Sequence, residues 1–212
     1  MIGHQAVGID RYPQLFPIPA EPFSIKKFKK NVRLLKKFED VLGAITQAKN
    51  APEVAIDLET VGFRPYGKDA SIICMSLATT GMACSFPVQP KDPYWSHREV
   101  QTLRDAVRSL LVAPNTKIAF NAAFELEWLM YWVGKKIAHS AVWLDPMAQA
   151  FCLDPRKGGH SLDFMCCQEL GFSVKSLTQI KKNEIADMPV EQLLEYNAYD
   201  AKSTLLLADK LN

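Results

Sequence analysis

The 212-residue chain has no long hydrophobic run. A helix crossing a bilayer needs roughly 20 consecutive apolar residues. No stretch approaches that, so a membrane-spanning class is excluded and a soluble chain is expected. The N-terminus also lacks a charged start followed by an apolar segment and a small-residue cleavage site, so no secretory signal is expected. Cysteine is scarce, at Cys74, Cys84, Cys152, Cys166 and Cys167, with no CxxC pair. Three fall in apolar runs and two are adjacent, which fits reduced, buried thiols in a cytoplasmic protein better than disulfides or zinc. The histidines (His4, His97, His139 and His160) have no metal-ligand spacing; His160 reads as a local cap. There is no Walker-type glycine loop, no nucleophilic-serine motif, no internal repeat and no low-complexity segment. Bulk charge is missing too: 25 basic against 23 acidic residues leave +2. A nucleic-acid binder is therefore not announced by net charge.

Local charge is more informative. Lys26, Lys27, Lys29, Lys30, Arg33, Lys36 and Lys37 form a basic run, open to a solvated helix face or to phosphate contact. Residues 1–35, with Pro13, Pro17, Pro19 and Pro22, read as an N-terminal extension, and residues 36–212 as a domain large enough to bury a core. Apolar spacing predicts one helix from Val32 to Gln47, then a strand over Glu53–Leu58 ending in acids. Ser71–Thr79 and Met82–Val88 read as a hairpin across Thr80-Gly81. Ser96 and Glu99 form a capping box opening a helix to Ala113. A strand is expected at Lys117–Asn121, with helices over Phe124–Val133, Pro146–Leu153 and from Ser161 to Leu170. Pro189 is expected in the first turn of a final helix reaching about Leu211. An antiparallel start followed by alternating helices and strands is an α/β pattern, a mixed β-sheet flanked by helices.

Three acidic motifs lie on this frame. In Asp57-Leu58-Glu59 the period-two alternation of a strand points both carboxylates one way and Leu58 into the opposite layer. Adjacent carboxylates repel unless a cation lies between them, and an all-oxygen pair suits Mg²⁺ or Mn²⁺. Alone, such a pair is most often two acids at a solvated strand end. On the last helix, Tyr196 and Asp200 stand one turn apart. Leu193 and Leu207, seven residues either side of Asp200, share its face, while Glu191, Glu195, Lys202 and Asp209 mark the polar stripe. Asp200 is thus expected inward, where an ionised carboxylate needs a partner or a metal. Between these motifs lies Asn121-Ala122-Ala123-Phe124-Glu125. Asn121 is placed to cap a helix whose first turn carries Glu125, favoured there by the helix dipole.

In order and spacing, the DxE, the Asn121-to-Glu125 junction and the YxxxD together resemble the DEDD exonuclease superfamily, in the branch with tyrosine in its third motif. The histidine branch would place His where this chain has Glu195. Over roughly residues 50–212, Thr60 with Gly62, Leu144-Asp145-Pro146-Met147 and Gly159-His160-Ser161-Leu162-Asp163 look closest to the proofreading domains of polymerase I-type enzymes, often phage-encoded. The resemblance implies a ribonuclease H-like fold and 3′→5′ removal of nucleotides from DNA as nucleoside 5′-monophosphates. It implies two divalent ions, Mg²⁺ or Mn²⁺, held by Asp57, Glu59, Glu125 and Asp200, with Asp57 bridging. Tyr196 and Glu59 would orient the attacking water, while the backbone around Leu58, Glu59 and Thr60, with Asn121 and Phe124, would seat the terminal nucleotide.

One departure stands at Glu125, where polymerase-type relatives usually carry aspartate. An added methylene moves a carboxylate by about 1 Å, and misplacements of that size cost up to about 100-fold in rate. A weakened or shifted second metal site is expected. The expected partners are single-stranded or frayed DNA 3′ ends and a separate DNA polymerase, in the cytoplasm of a bacterial or phage-infected cell. The competing readings are ribonuclease D-like RNA trimming and a vestigial domain that binds DNA or a polymerase.

Overall fold

The computed structural model describes residues 23–90, 93–155, 161–178 and 188–212. Most of the proline-containing arm, along with His4, Gly159 and His160, lies outside the described residues. Six strands form one mixed sheet: β1 Val32–Leu34, β2 Glu53–Val61, β3 Ser71–Thr79, β4 Met82–Pro87, β5 Thr116–Ile118 and β6 Trp143–Leu144. Their order is β1-β4-β3-β2-β5-β6. The hairpin β3–β4 and the β2–β3 pair are antiparallel, while β1, β5 and β6 join in parallel.

Alternation along β2 sorts the two layers. Val54, Ile56 and Leu58 enter the larger core, with α2 Phe38–Lys49, α3 His97–Leu111, α4 Ala122–Val133 and α5 Lys135–Ser140 over that face. On the other face lies the 22-residue α8, Val190–Leu211, against β1 to β4. Its seat is lined with small side chains, Ala55, Ala78 and Ala83 meeting Ala201 and Ala208, which lets the helix approach the sheet closely. Helix α6, Pro146–Leu153, and α7, Leu162–Met165, pack against α8 in turn.

Several expectations hold, including the hairpin, whose Thr79 pairs with Met82, and the capping box, in which Ser96 N–H donates to Glu99 Oε2 at 2.8 Å. The single helix expected from Val32 is corrected. Left-handed Asn31 (φ 67°) turns the chain into β1, and α2 begins only at Phe38 after an extended Lys37. A three-residue strand has no visible period of its own; its pairing with distant β4 decides it. The short helix α1, Ile25–Lys29, and β1 both precede residue 36, α1 packing through Phe28 against Phe172 and Tyr199 and β1 pairing with β4. The basic run there meets acids of α8, with Lys36 to Glu191 at 2.9 Å and Lys29 to Glu195 at 3.7 Å. Lys202 of α8 in return donates to the Lys30 carbonyl at 2.8 Å.

Smaller shifts occur elsewhere. Strand β5 stops at Ile118, although Ala119 N–H still bonds the Leu144 carbonyl. The helix opened by Ser161 widens after Met165 into a π-turn, Cys166–Leu170, and ends at left-handed Gly171. Pro189 sits at the cap of α8 rather than inside its first turn.

Candidate functional site

Asp57 and Glu59 leave β2 on the face that α8 covers, and α8 brings Asp200 over them. Carboxylate oxygens of these three residues lie within 4.8 Å of one another. Just after Glu59 the β2–β3 register slips. The extra residue is Ile73 on β3, and a bulge of this kind bends its strand locally, here beside the acids. Leu58 is 4 % exposed, its side chain in the opposite core as alternation requires. Tyr196 is buried among Ile73, Cys74, Leu193 and Leu194, with Asp200 as its hydrogen-bond partner.

Glu125 lines the same cleft but stands outside the group of three. It is 4 % exposed, and among the described residues its Oε2 has no hydrogen-bond partner. The capping expected of Asn121 is corrected. Asn121 occupies the cap position in a left-handed conformation (φ 65°), but among the described residues its side chain makes no cap bond. Asp145 does that work from the end of β6. Its Oδ1 accepts from Asn121 N–H at 3.0 Å and Met147 N–H at 2.9 Å, and its Oδ2 from Ala122 N–H at 2.9 Å. One carboxylate thus caps both α4, which carries Glu125, and α6. Thr60 turns its hydroxyl to the Gly62 carbonyl at 3.0 Å.

The cleft has a volume of about 650 Å³. Asp57, Glu59, Glu125, Tyr196 and Asp200 line it together with Leu58, Thr60, Asn121 and Phe124, so every sequence-predicted site residue meets there. Phe63, Phe120 and Met147 also line it and were not foreseen. Phe63 is 91 % exposed, which no motif around it signals. A further residue escaped the sequence reading: Asn197, fully buried, whose Nδ2 donates to Asp57 Oδ2 at 2.6 Å.

Crowding of acids shows in the protonation equilibria. The Asp57 carboxyl is pushed well above the usual range by burial first, then by Asp200, Glu59 and Glu125, with the Asn197 hydrogen bond opposing. Glu125 is likewise pushed well up, by burial and then by Asp145 and Glu59, against an opposing backbone hydrogen bond. Burial and the Asp200, Glu59 and Asp57 charges raise the Tyr196 phenol, which stays protonated as a donor. Buried carboxylates that repel one another stay ionised only with a compensating cation. The unpartnered Glu125 Oε2 and the all-oxygen donor set therefore fit divalent metal.

A family model described as 3′-5′ exonuclease matches residues 32–212. The DNA polymerase I of Chloroflexus aurantiacus is 30 % identical over 173 residues, spanning 79 % of this chain and 18 % of that protein. The chain thus covers under a fifth of that curated relative. The catalytic core of RRP6 from Trypanosoma brucei superposes with a TM-score of 0.66 at 18 % identity, over 89 % of this chain and 48 % of that one. RNase D from Trypanosoma brucei, in complex with RNA U12, superposes with a TM-score of 0.64 at 19 % identity, over 88 % and 64 %. These likenesses show the ribonuclease H-like α/β fold. A matched span that includes the whole sheet, the acidic cleft and α8 settles the assignment: the chain belongs to the DEDD 3′-5′ exonuclease family of hydrolases.

Proposed function

We propose that the chain removes nucleotides from DNA 3′ ends, releasing nucleoside 5′-monophosphates during proofreading or DNA processing. The observation that carries this reading is the convergence of the Asp57, Glu59 and Asp200 carboxylates within 4.8 Å, in a cleft large enough for a nucleotide. Asp57, Glu59 and Asp200, with Glu125 beside them in the cleft, would hold the divalent ions, Mg²⁺ or Mn²⁺. When bound, such ions neutralise phosphate charge and lower the pKa of water. The protein's own groups do the rest. Tyr196, protonated and buried against Asp200, offers its hydroxyl to the incoming water, with Glu59 as acceptor. The backbone of Leu58 to Thr60 holds the terminal sugar and phosphate, while Asn121 and Phe124 bound the base.

DNA is favoured by the polymerase relative, and the expected setting is beside a DNA polymerase in a bacterial or phage-infected cytoplasm. RNA is the second substrate to test, because the fold is shared with RNase D and the acidic cluster addresses phosphate rather than sugar. The test is a 5′-labelled single strand of each polymer incubated with Mg²⁺ or Mn²⁺. A descending ladder is expected, abolished by chelator and by Asp57→Ala. No ladder on either polymer would overturn the proposal.

A further inference from the structure

We propose that Asn197 is a positioning residue of this site, its amide completed by Ser85 and holding the Asp57 carboxylate in the orientation that metal binding requires. The inference rests on the exonuclease reading but adds a residue that none of the acidic motifs contains. It begins with the sheet register. Asp57 on β2 pairs with Ser76 on β3, and Ser76 pairs with Ser85 on β4, so three polar residues form one row across three strands. Ser76, Ser85 and Asn197 are all 0 % exposed. Elsewhere the same face offers α8 alanines, at Ala55, Ala78 and Ala83.

Above the row, Asn197 uses both ends of its amide. Its Oδ1 accepts from the Ser85 hydroxyl at 2.8 Å, and its Nδ2 donates to Asp57 Oδ2 at 2.6 Å. Ser76 ties the backbones together, with its hydroxyl 2.9 Å from the Asn197 carbonyl oxygen and 3.3 Å from that of Asp57. Reversing the amide would set two oxygens face to face at Asp57, so one orientation serves both partners. The lone pairs count in favour of a metal role. An ionised carboxylate has about four acceptor sites, and the amide occupies one of them, on Oδ2. Asp57 lines the cleft, and this one contact restrains its carboxylate without consuming the other acceptor sites. A buried asparagine in a helix is a poor choice for packing alone, because each end must find a partner. Here the partners are a metal-site acid and a serine whose hydroxyl also lies 3.3 Å from the Met75 carbonyl oxygen.

Partners behind a metal ligand typically govern affinity or activity by 10- to 100-fold. The experiment is calorimetric titration of Mn²⁺ into the full chain, wild type, Ser85→Ala, Asn197→Ala and the double variant. DNA hydrolysis by each is measured in parallel. Asn197→Ala is expected to weaken Mn²⁺ binding on the order of 10-fold or more and to lower kcat with KM for DNA unchanged. Ser85→Ala should weaken binding several-fold. Adding Ser85→Ala to Asn197→Ala should cost no further Mn²⁺ affinity, because the serine reaches Asp57 through the amide. Wild-type affinity in Asn197→Ala, additive losses in the double variant, or no Mn²⁺ binding by the wild type would each overturn the proposal. If Asn197→Ala fails to fold, Ser85→Ala alone decides, with unchanged affinity as the refuting result. Calorimetry also separates the two readings. A wild type whose Mn²⁺ affinity depends on Asn197 but that yields no ladder loses the exonuclease proposal and keeps this one.

Discussion

At the scale of single residues, Glu125 is where chemistry and sequence pull apart. Its carboxylate is buried, lacks a partner on Oε2 among the described residues, and stands outside the cluster formed by Asp57, Glu59 and Asp200. Shortening it by one methylene restores the acid that polymerase-type relatives usually carry and moves the carboxylate by about 1 Å, a distance worth up to about 100-fold in rate. Glu125→Asp is therefore expected to raise activity at limiting Mg²⁺ on the order of 10-fold and to lower the half-activating metal concentration. Rates measured across a metal titration check this, and an unchanged titration would show that the longer acid fits as it is. Residues whose direction follows from local period were legible in this way. Asp57 and Glu59 share a strand face, and Tyr196 and Asp200 share a helix face. Asn197 was not legible, because its value depends on Ser85, 112 positions away. No window along the chain contains that pair.

Elements repeat the distinction. Helix α3 announces itself through its capping box and the hairpin through its alternation, both satisfied within a few residues. Strand β1 and the start of α4 do not, since β4 and Asp145 supply what they need from elsewhere in the chain. Asp145 is the sharper case. The expected local cap, Asn121, leaves the N–H groups to a carboxylate 23 and 24 positions on, which also caps α6. Loss of a helix cap costs roughly 0.5–2 kcal/mol, so Asp145→Ala, which strips two helices, should destabilise by roughly 1–4 kcal/mol. Urea unfolding measures that cost, and a change below about 0.5 kcal/mol would mean the caps are replaced by water. Because α4 carries Glu125, the variant should also lose activity under conditions where it remains folded.

For the whole molecule, the acidic cleft turns function into a stability cost, and the sign can be worked out. The folded-state pKa values of Asp57 and Glu125 are raised above their ordinary values by burial and mutual repulsion. A carboxyl whose folded pKa is raised contributes stability that is complete below its unfolded pKa, near 4, and is lost as pH rises through the folded value. Without metal, then, the protein should melt at a higher temperature near pH 5 than near pH 8. This is opposite to a fold whose acids are paired with lysine or arginine. Divalent ions bind the ionised form and reverse the trend: Mn²⁺ should raise the melting temperature little at pH 5 and increasingly towards pH 8. Thermal melts in chelator and in Mn²⁺, taken across that range, test both halves together. Asp57→Asn should remove much of the chelator-state slope and most of the metal-induced rise, because it deletes the charge that the other three acids repel. A metal-free melting temperature that climbs with pH would show the carboxylates to be paired within the protein, leaving no electrostatic need for a cation in the cleft.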